Sequence, residues 1–69
     1  VEEIVRAVSA IVISERGRKQ MSRIQFSNFT GVSVQTIERV ETDGVLPSLK
    51  TLNKLLKPLG YAMVLQKMK

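Results

Sequence analysis

The sequence predicts an all-α fold: one domain, residues 1–69, built as a bundle of four to five helices with a short strand near its C-terminus. Three observations predict it. Apolar residues recur at helical spacing in two long segments, Val1–Val12 and Leu49–Leu59. Two shorter amphipathic segments between them are divided by Thr30-Gly31-Val32-Ser33, a helix stop followed by a helix start. The chain has no Cys to staple the fold, so a helical core, completed where needed by a partner subunit, is the least demanding solution for so few residues.

The elements follow in order. Val1, Ile4, Val5, Val8, Ile11 and Val12 keep the i, i+3, i+4, i+7 rule over more than three turns, with Ala7 and Ala10 in support. The run Ile11-Val12-Ile13 alone could be strand, but the longer periodicity favours helix. Gly17 is either the C-cap of this helix or a weak point in its last turn. Ser22 can cap a second helix, Arg23–Thr30, with Phe26 and Thr30 inward, and Gly31 suits the left-handed position that ends it. Ser33 can cap a third helix, Val34–Glu41, with Ile37 and Val40 inward. Thr42-Asp43-Gly44-Val45-Leu46-Pro47 reads as a loop. Ser48 caps a fourth helix whose apolar stripe is Leu49, Leu52, Leu55, Leu56 and Leu59. Pro58 should bend or end it, and Gly60 closes the segment. Residues 61–68 then look extended, with Tyr61, Met63 and Leu65 on one face.

Composition narrows the function. Zero His and zero Cys remove the commonest metal ligands and the neutral-pH proton shuttle. There is no nucleophile–base set and no phosphate loop, so an enzyme is disfavoured, and no cofactor is expected. Glu2, Glu3 and Glu15 outnumber Arg6 in residues 1–15, a net of −2, whereas the other ten of the eleven Lys and Arg face only Glu38, Glu41 and Asp43, a net of +7. That asymmetry suggests a polyanionic partner for the later part, against the blander reading of a basic solvated surface. No apolar run approaches the roughly 20 residues of a membrane span. Val1–Ala10 has acids where a signal peptide needs bases, so a cytoplasmic protein with no membrane partner is expected. The chain starts at Val1 rather than Met, which suggests that its natural first residues are missing.

Only about three residues join the second and third helices, which forces a steep crossing. Ser27, four before Gly31, must be small because the third helix passes over it. Gly31 needs a positive φ, and Ile37, six after it, plugs the angle. An ordinary helical hairpin could share this pattern, so the outward face of the third helix decides more. With Ile37 and Val40 inward, it presents Val34, Gln35, Glu38 and Arg39. A helix entering the major groove reads base edges with its N-terminal residues. Gln pairs with adenine, Arg with guanine, and an apolar side chain meets the thymine methyl. Gln and Arg are also ordinary residues of a solvated helix face; an exposed Val at a helix start is less easily explained that way.

At this point residues 8–60 resemble the phage-repressor and Cro-type helix-turn-helix family, also called the XRE family. The resemblance is carried by M-S-R-I-Q-F-S-N-F-T-G-V-S-V-Q-T-I-E-R-V-E, with the motif over about 22–41, by Pro47 six residues after Glu41, and by P-S-L-K-T-L-N-K-L-L-K-P-L-G. It implies a lambda-repressor-like bundle and a regulator that binds double-stranded operator DNA as a homodimer, with the third helix as recognition helix. By position, it implies base contacts from Val34, Gln35 and Arg39, base or phosphate contacts from Ser33 and Thr36, and a phosphate contact from Arg23. It also implies an ion pair between Arg16 and Glu41.

The sequence departs from the family pattern at several places. Ser27 stands for the usual Ala. Asp43 would turn a charge toward phosphate, and Gly44 and Val45 stand where basic residues often grip the backbone. Ile24 and Phe29 occupy positions that are usually polar; Phe29 either faces a partner or packs under the first helix.

Arg18 and Lys19 suit the C-terminal end of the first helix and lie near the start of the second, within reach of phosphate. Lys50, Lys54 and Lys57 form a stripe on the fourth helix, of which Lys50 is nearest the helix start and the best placed for DNA. The terminal strand has no neighbour in the chain. Pairing with the same strand of a second copy would satisfy both edges, unless its apolar residues cover the domain's own core. It resembles the strand exchange of helix-turn-helix antitoxins, where "LGY" precedes an apolar strand. Two functions are therefore carried forward: a transcriptional regulator, a repressor that occludes a promoter, and an antitoxin that binds a toxin protein and regulates its own operon.

Overall fold

The computed structural model describes residues 2–63 and 67. Helix α1 spans Glu2–Arg18, α2 Arg23–Thr30 and α3 Val34–Glu38. α3 runs without a break into a wide, π-helical turn, Arg39–Asp43. α4 spans Leu49–Leu56 and tightens into a 3-10 turn, Lys57–Leu59. The architecture is the expected all-α bundle of four helices.

The starts of α2, α3 and α4 are each capped by a serine side chain. The Ser22 hydroxyl accepts from the Gln25 amide at 3.1 Å, while the Gln25 side chain accepts from the Ser22 amide at 2.9 Å, a complete capping box. Ser33 and Ser48 repeat one device. Each hydroxyl accepts from the amide three residues on, and each donates to a threonine hydroxyl, Thr36 at 2.8 Å and Thr51 at 3.1 Å.

The core is one cluster: Val8 and Val12 of α1, Phe26 of α2, Val32 of the turn, Ile37 of α3, Val40 of the wide turn, and Leu52, Leu55 and Leu56 of α4. Ile11, Met21, Leu46 and Leu59 pack around it. α1 lies against the wide turn, and α2 packs on both α3 and α4.

Three expectations are corrected, and the alternative left open at Gly17 is decided. Ile4, placed inward by periodicity, is 57% exposed, and Glu2, Glu3, Arg6 and Ala7 around it are exposed too. The apolar face of α1 therefore extends past the part of the helix that meets the bundle. Leu49 is 73% exposed, because the core stops at Leu52 and the first turn of α4 stands beyond it. Gly17 is not the C-cap of α1. The left-handed residue is Gln20 at φ 55°, with the Met21 amide donating back to the Arg16 carbonyl at 3.1 Å. The third helix does not stay regular to Glu41. The Gly44 amide closes on the Arg39 carbonyl, Thr42 Oγ1 donates to the Glu38 carbonyl at 2.8 Å, and Ser9 Oγ of α1 donates to the Glu41 carbonyl at 3.3 Å. The Thr42 and Ser9 hydroxyls thus add side-chain hydrogen bonds to backbone carbonyls along the widened stretch.

Pro58 sits in the 3-10 turn, where the α-helix has already ended. Of the strand expected over 61–68, Tyr61, Ala62 and Met63 are irregular and exposed, and Leu65 lies outside the described residues.

Candidate nucleic-acid interface

The turn between α2 and α3 is set by three residues. Gly31 takes φ 78°, and its amide donates to the Ser27 carbonyl at 2.8 Å. Thr30 is 5% exposed and fully used: its hydroxyl donates to the Phe26 carbonyl at 2.9 Å and accepts from the Val32 amide at 3.2 Å. Val32, 3% exposed, drops into the core from the turn itself. Sequence reasoning placed Thr30 inward but missed Val32, whose signal was an isolated apolar residue between two turn formers.

With this turn held, the face of α3 follows from helix geometry. Successive residues rotate by about 100°. Ile37 and Val40 are buried. Gln35 then stands at the middle of the opposite face, with Glu38 and Arg39 one turn further on, to either side of it. All three are exposed, and Val34 and Thr36 are half-buried on the flanks. Arg39 has no acidic partner among the described residues, and with Thr36, Val45, Leu46 and Pro47 it lines a shallow depression beside the helix.

Beneath this face lies a charged cluster. Arg16 grips Glu41 with two nitrogens, Nε to Oε2 at 2.7 Å and Nη2 to Oε1 at 3.0 Å, and its Nη1 donates to the Met21 carbonyl at 3.1 Å. Arg23 Nε adds a third donor to Glu41 Oε1 at 3.0 Å, and Arg23 Nη1 lies 3.5 Å from Glu38 Oε2. The Glu41 side chain is only 2% exposed. Burial disfavours its charge, but the hydrogen bonds from Arg16 and Arg23 outweigh that, and its pKa lies below the ordinary carboxylate value. The same bond to Glu41 raises the pKa of Arg16.

Sequence reasoning gave Arg23 to phosphate and did not see that two of its nitrogens are engaged within the protein. The Ser33 hydroxyl is likewise committed to its cap. Arg18 pairs with Glu15 at 2.6 Å, and the Lys19 ammonium lies 5.3 Å from the centre of the Phe29 ring. Phe29 is 42% exposed, so it is not packed away under α1. Lys50 is exposed in the first turn of α4, and the Lys54 stem crosses the turn at Gly31. Among the described residues, no group of acids could hold a metal ion, and no helix is long and apolar enough to cross a membrane.

Two short helices locked across a glycine turn, with the second carrying a polar exposed face, define a helix-turn-helix module, a DNA-binding and non-catalytic class. Residues 12–65 match the family described as Helix-turn-helix (HTH_3), and the chain belongs to that family. No curated protein and no solved structure matches the chain.

Proposed function

We propose that the protein is a sequence-specific transcriptional regulator, a repressor, that binds operator DNA through the major groove as a homodimer in the cytoplasm. The observation that carries this reading is the exposed face of α3, where Gln35 and Arg39 stand one turn apart on a helix whose other side is buried. In the groove Gln35 addresses adenine, Arg39 guanine and Val34 a thymine methyl. Backbone contacts are assigned to Ser33, Thr36, Arg18, Lys19 and Lys50, and to Arg23 through Nη2, the guanidinium nitrogen that neither Glu41 nor Glu38 engages.

Homodimerisation is supported by the apolar side chains at the end of the bundle: Tyr61 is 42% and Met63 43% exposed. A second copy, joined through residues about 61–68, would cover them. The same exposed residues support the second reading, an antitoxin whose toxin partner docks there while α3 regulates the operon.

The test is selection of bound duplexes from a random pool, repeated with Arg39→Ala and Gln35→Ala. Each substitution should relax one base position and cost about 1–3 kcal/mol there. Uniform weakening without altered preference would assign both residues to phosphate. A pool that yields no motif at low salt removes the regulator reading.

A further inference from the structure

Glu38 is the one member of the exposed α3 face to which the reading above gives no task. It is as outward as Arg39: its side chain is 57% exposed, and it flanks Gln35 on the side opposite Arg39. An acid there should repel a polyanion, and surface acids are usually unhelpful on a DNA-binding face. This acid is not bare. Arg23 Nη1 lies 3.5 Å from its Oε2, and Arg23 is itself held by its Nε on the buried Glu41 at 3.0 Å. Arg23 thus reaches from the start of α2 to the outward face while anchored below it. The pair offsets the charge of Glu38 and limits where its carboxylate can go.

We infer that Glu38 is a specificity-determining residue that selects cytosine in the base pair it faces, with Arg23 as its positioning residue. The inference rests on the major-groove reading proposed above. A carboxylate only accepts hydrogen bonds. Cytosine offers the groove a lone N4 donor, whereas guanine offers only acceptors, and thymine an acceptor and a methyl group. Adenine pairs a donor with an acceptor, which suits a carboxamide and opposes a carboxylate. The charge on Glu38 therefore separates it in chemistry from its neighbour Gln35.

The experiment is duplex selection with the intact chain, comparing wild type with Glu38→Gln, Glu38→Ala, Arg23→Ala and Arg23→Lys, each first checked for a cooperative thermal melt. Wild type should show a cytosine at one position that neither Gln35→Ala nor Arg39→Ala relaxes. Glu38→Ala should relax that position alone, by about tenfold, and Glu38→Gln should move it toward adenine. Arg23→Ala should blunt the same preference and Arg23→Lys should restore part of it. A sharp wild-type motif that both Glu38 variants leave unchanged overturns the inference and spares the regulator reading. Equal tightening on all duplexes would make Glu38 a charge and not a reader, which also overturns it. A wild-type pool without any motif overturns both. A preference that survives Arg23→Ala overturns the positioning role.

Discussion

Arg16 and Glu41, 25 residues apart, meet through two hydrogen bonds of 2.7 and 3.0 Å, and the carboxylate they share is almost sealed from water. This pair ties the end of α1 to the wide turn that prolongs α3. Arg23 adds the start of α2 to the same carboxylate. One acid therefore sets how three helices meet beneath the proposed reading face.

Removing a partner should hurt more than the pair helps. Glu41→Ala leaves two guanidiniums facing each other under α3, and we expect a loss of about 3–5 kcal/mol, the range for a broken buried pair. Arg16→Ala should fall at or below about 3 kcal/mol, because Arg23 still neutralises the acid. Urea denaturation of the two variants checks the order. Equal losses would show that Arg23 does not share the charge.

The depressed pKa of Glu41 gives this link a pH dependence. A carboxyl group that is harder to protonate when folded stabilises the fold above its unfolded pKa, about 4.3 for Glu. That contribution is lost as pH falls through the lower folded value. Stability should therefore drop on acidification below about pH 4, and the Glu41→Gln variant, weaker at neutral pH, should show a shallower drop. Denaturation midpoints between pH 7 and pH 2 measure the difference. Parallel curves would mean that other carboxylates dominate.

Gly31→Ala should cost about 1–2 kcal/mol from its left-handed backbone. Little more is expected from sterics. The added Cβ would lie 3.0 Å from Lys54 Cε, the far end of a flexible side chain that can move. Combining it with Lys54→Ala should leave the loss nearly unchanged. If the double variant recovers most of the stability, the conflict lies with the lysine and not with the backbone.

Phosphate contact should appear in the salt dependence of binding. Six phosphates neutralised per dimer give a slope of log affinity against log salt near −5, at about −0.9 each. Lys50→Ala on both subunits should bring the slope up by about 2 without changing base preference. An unchanged slope would leave Lys50 as a solvated residue of α4.

Much of the fold was legible because its signals are local. The serines that cap α2, α3 and α4 stand where their hydroxyls reach the amide three residues on, and Gly31 tolerates the left-handed turn at no steric cost. Ile37 and Val40 determine by spacing alone which side of α3 faces out, and that side carries Gln35, Glu38 and Arg39. What the tertiary structure alone decided depends on distance through space. Periodicity marks an apolar face but not how far along the helix a neighbour covers it, which is why Ile4 and Leu49 lie in solvent. Nor does it say which cation reaches which acid: Arg23 turned inward to Glu41 because α2 begins beside the wide turn, a proximity created only when α1, α2 and α3 close on one carboxylate.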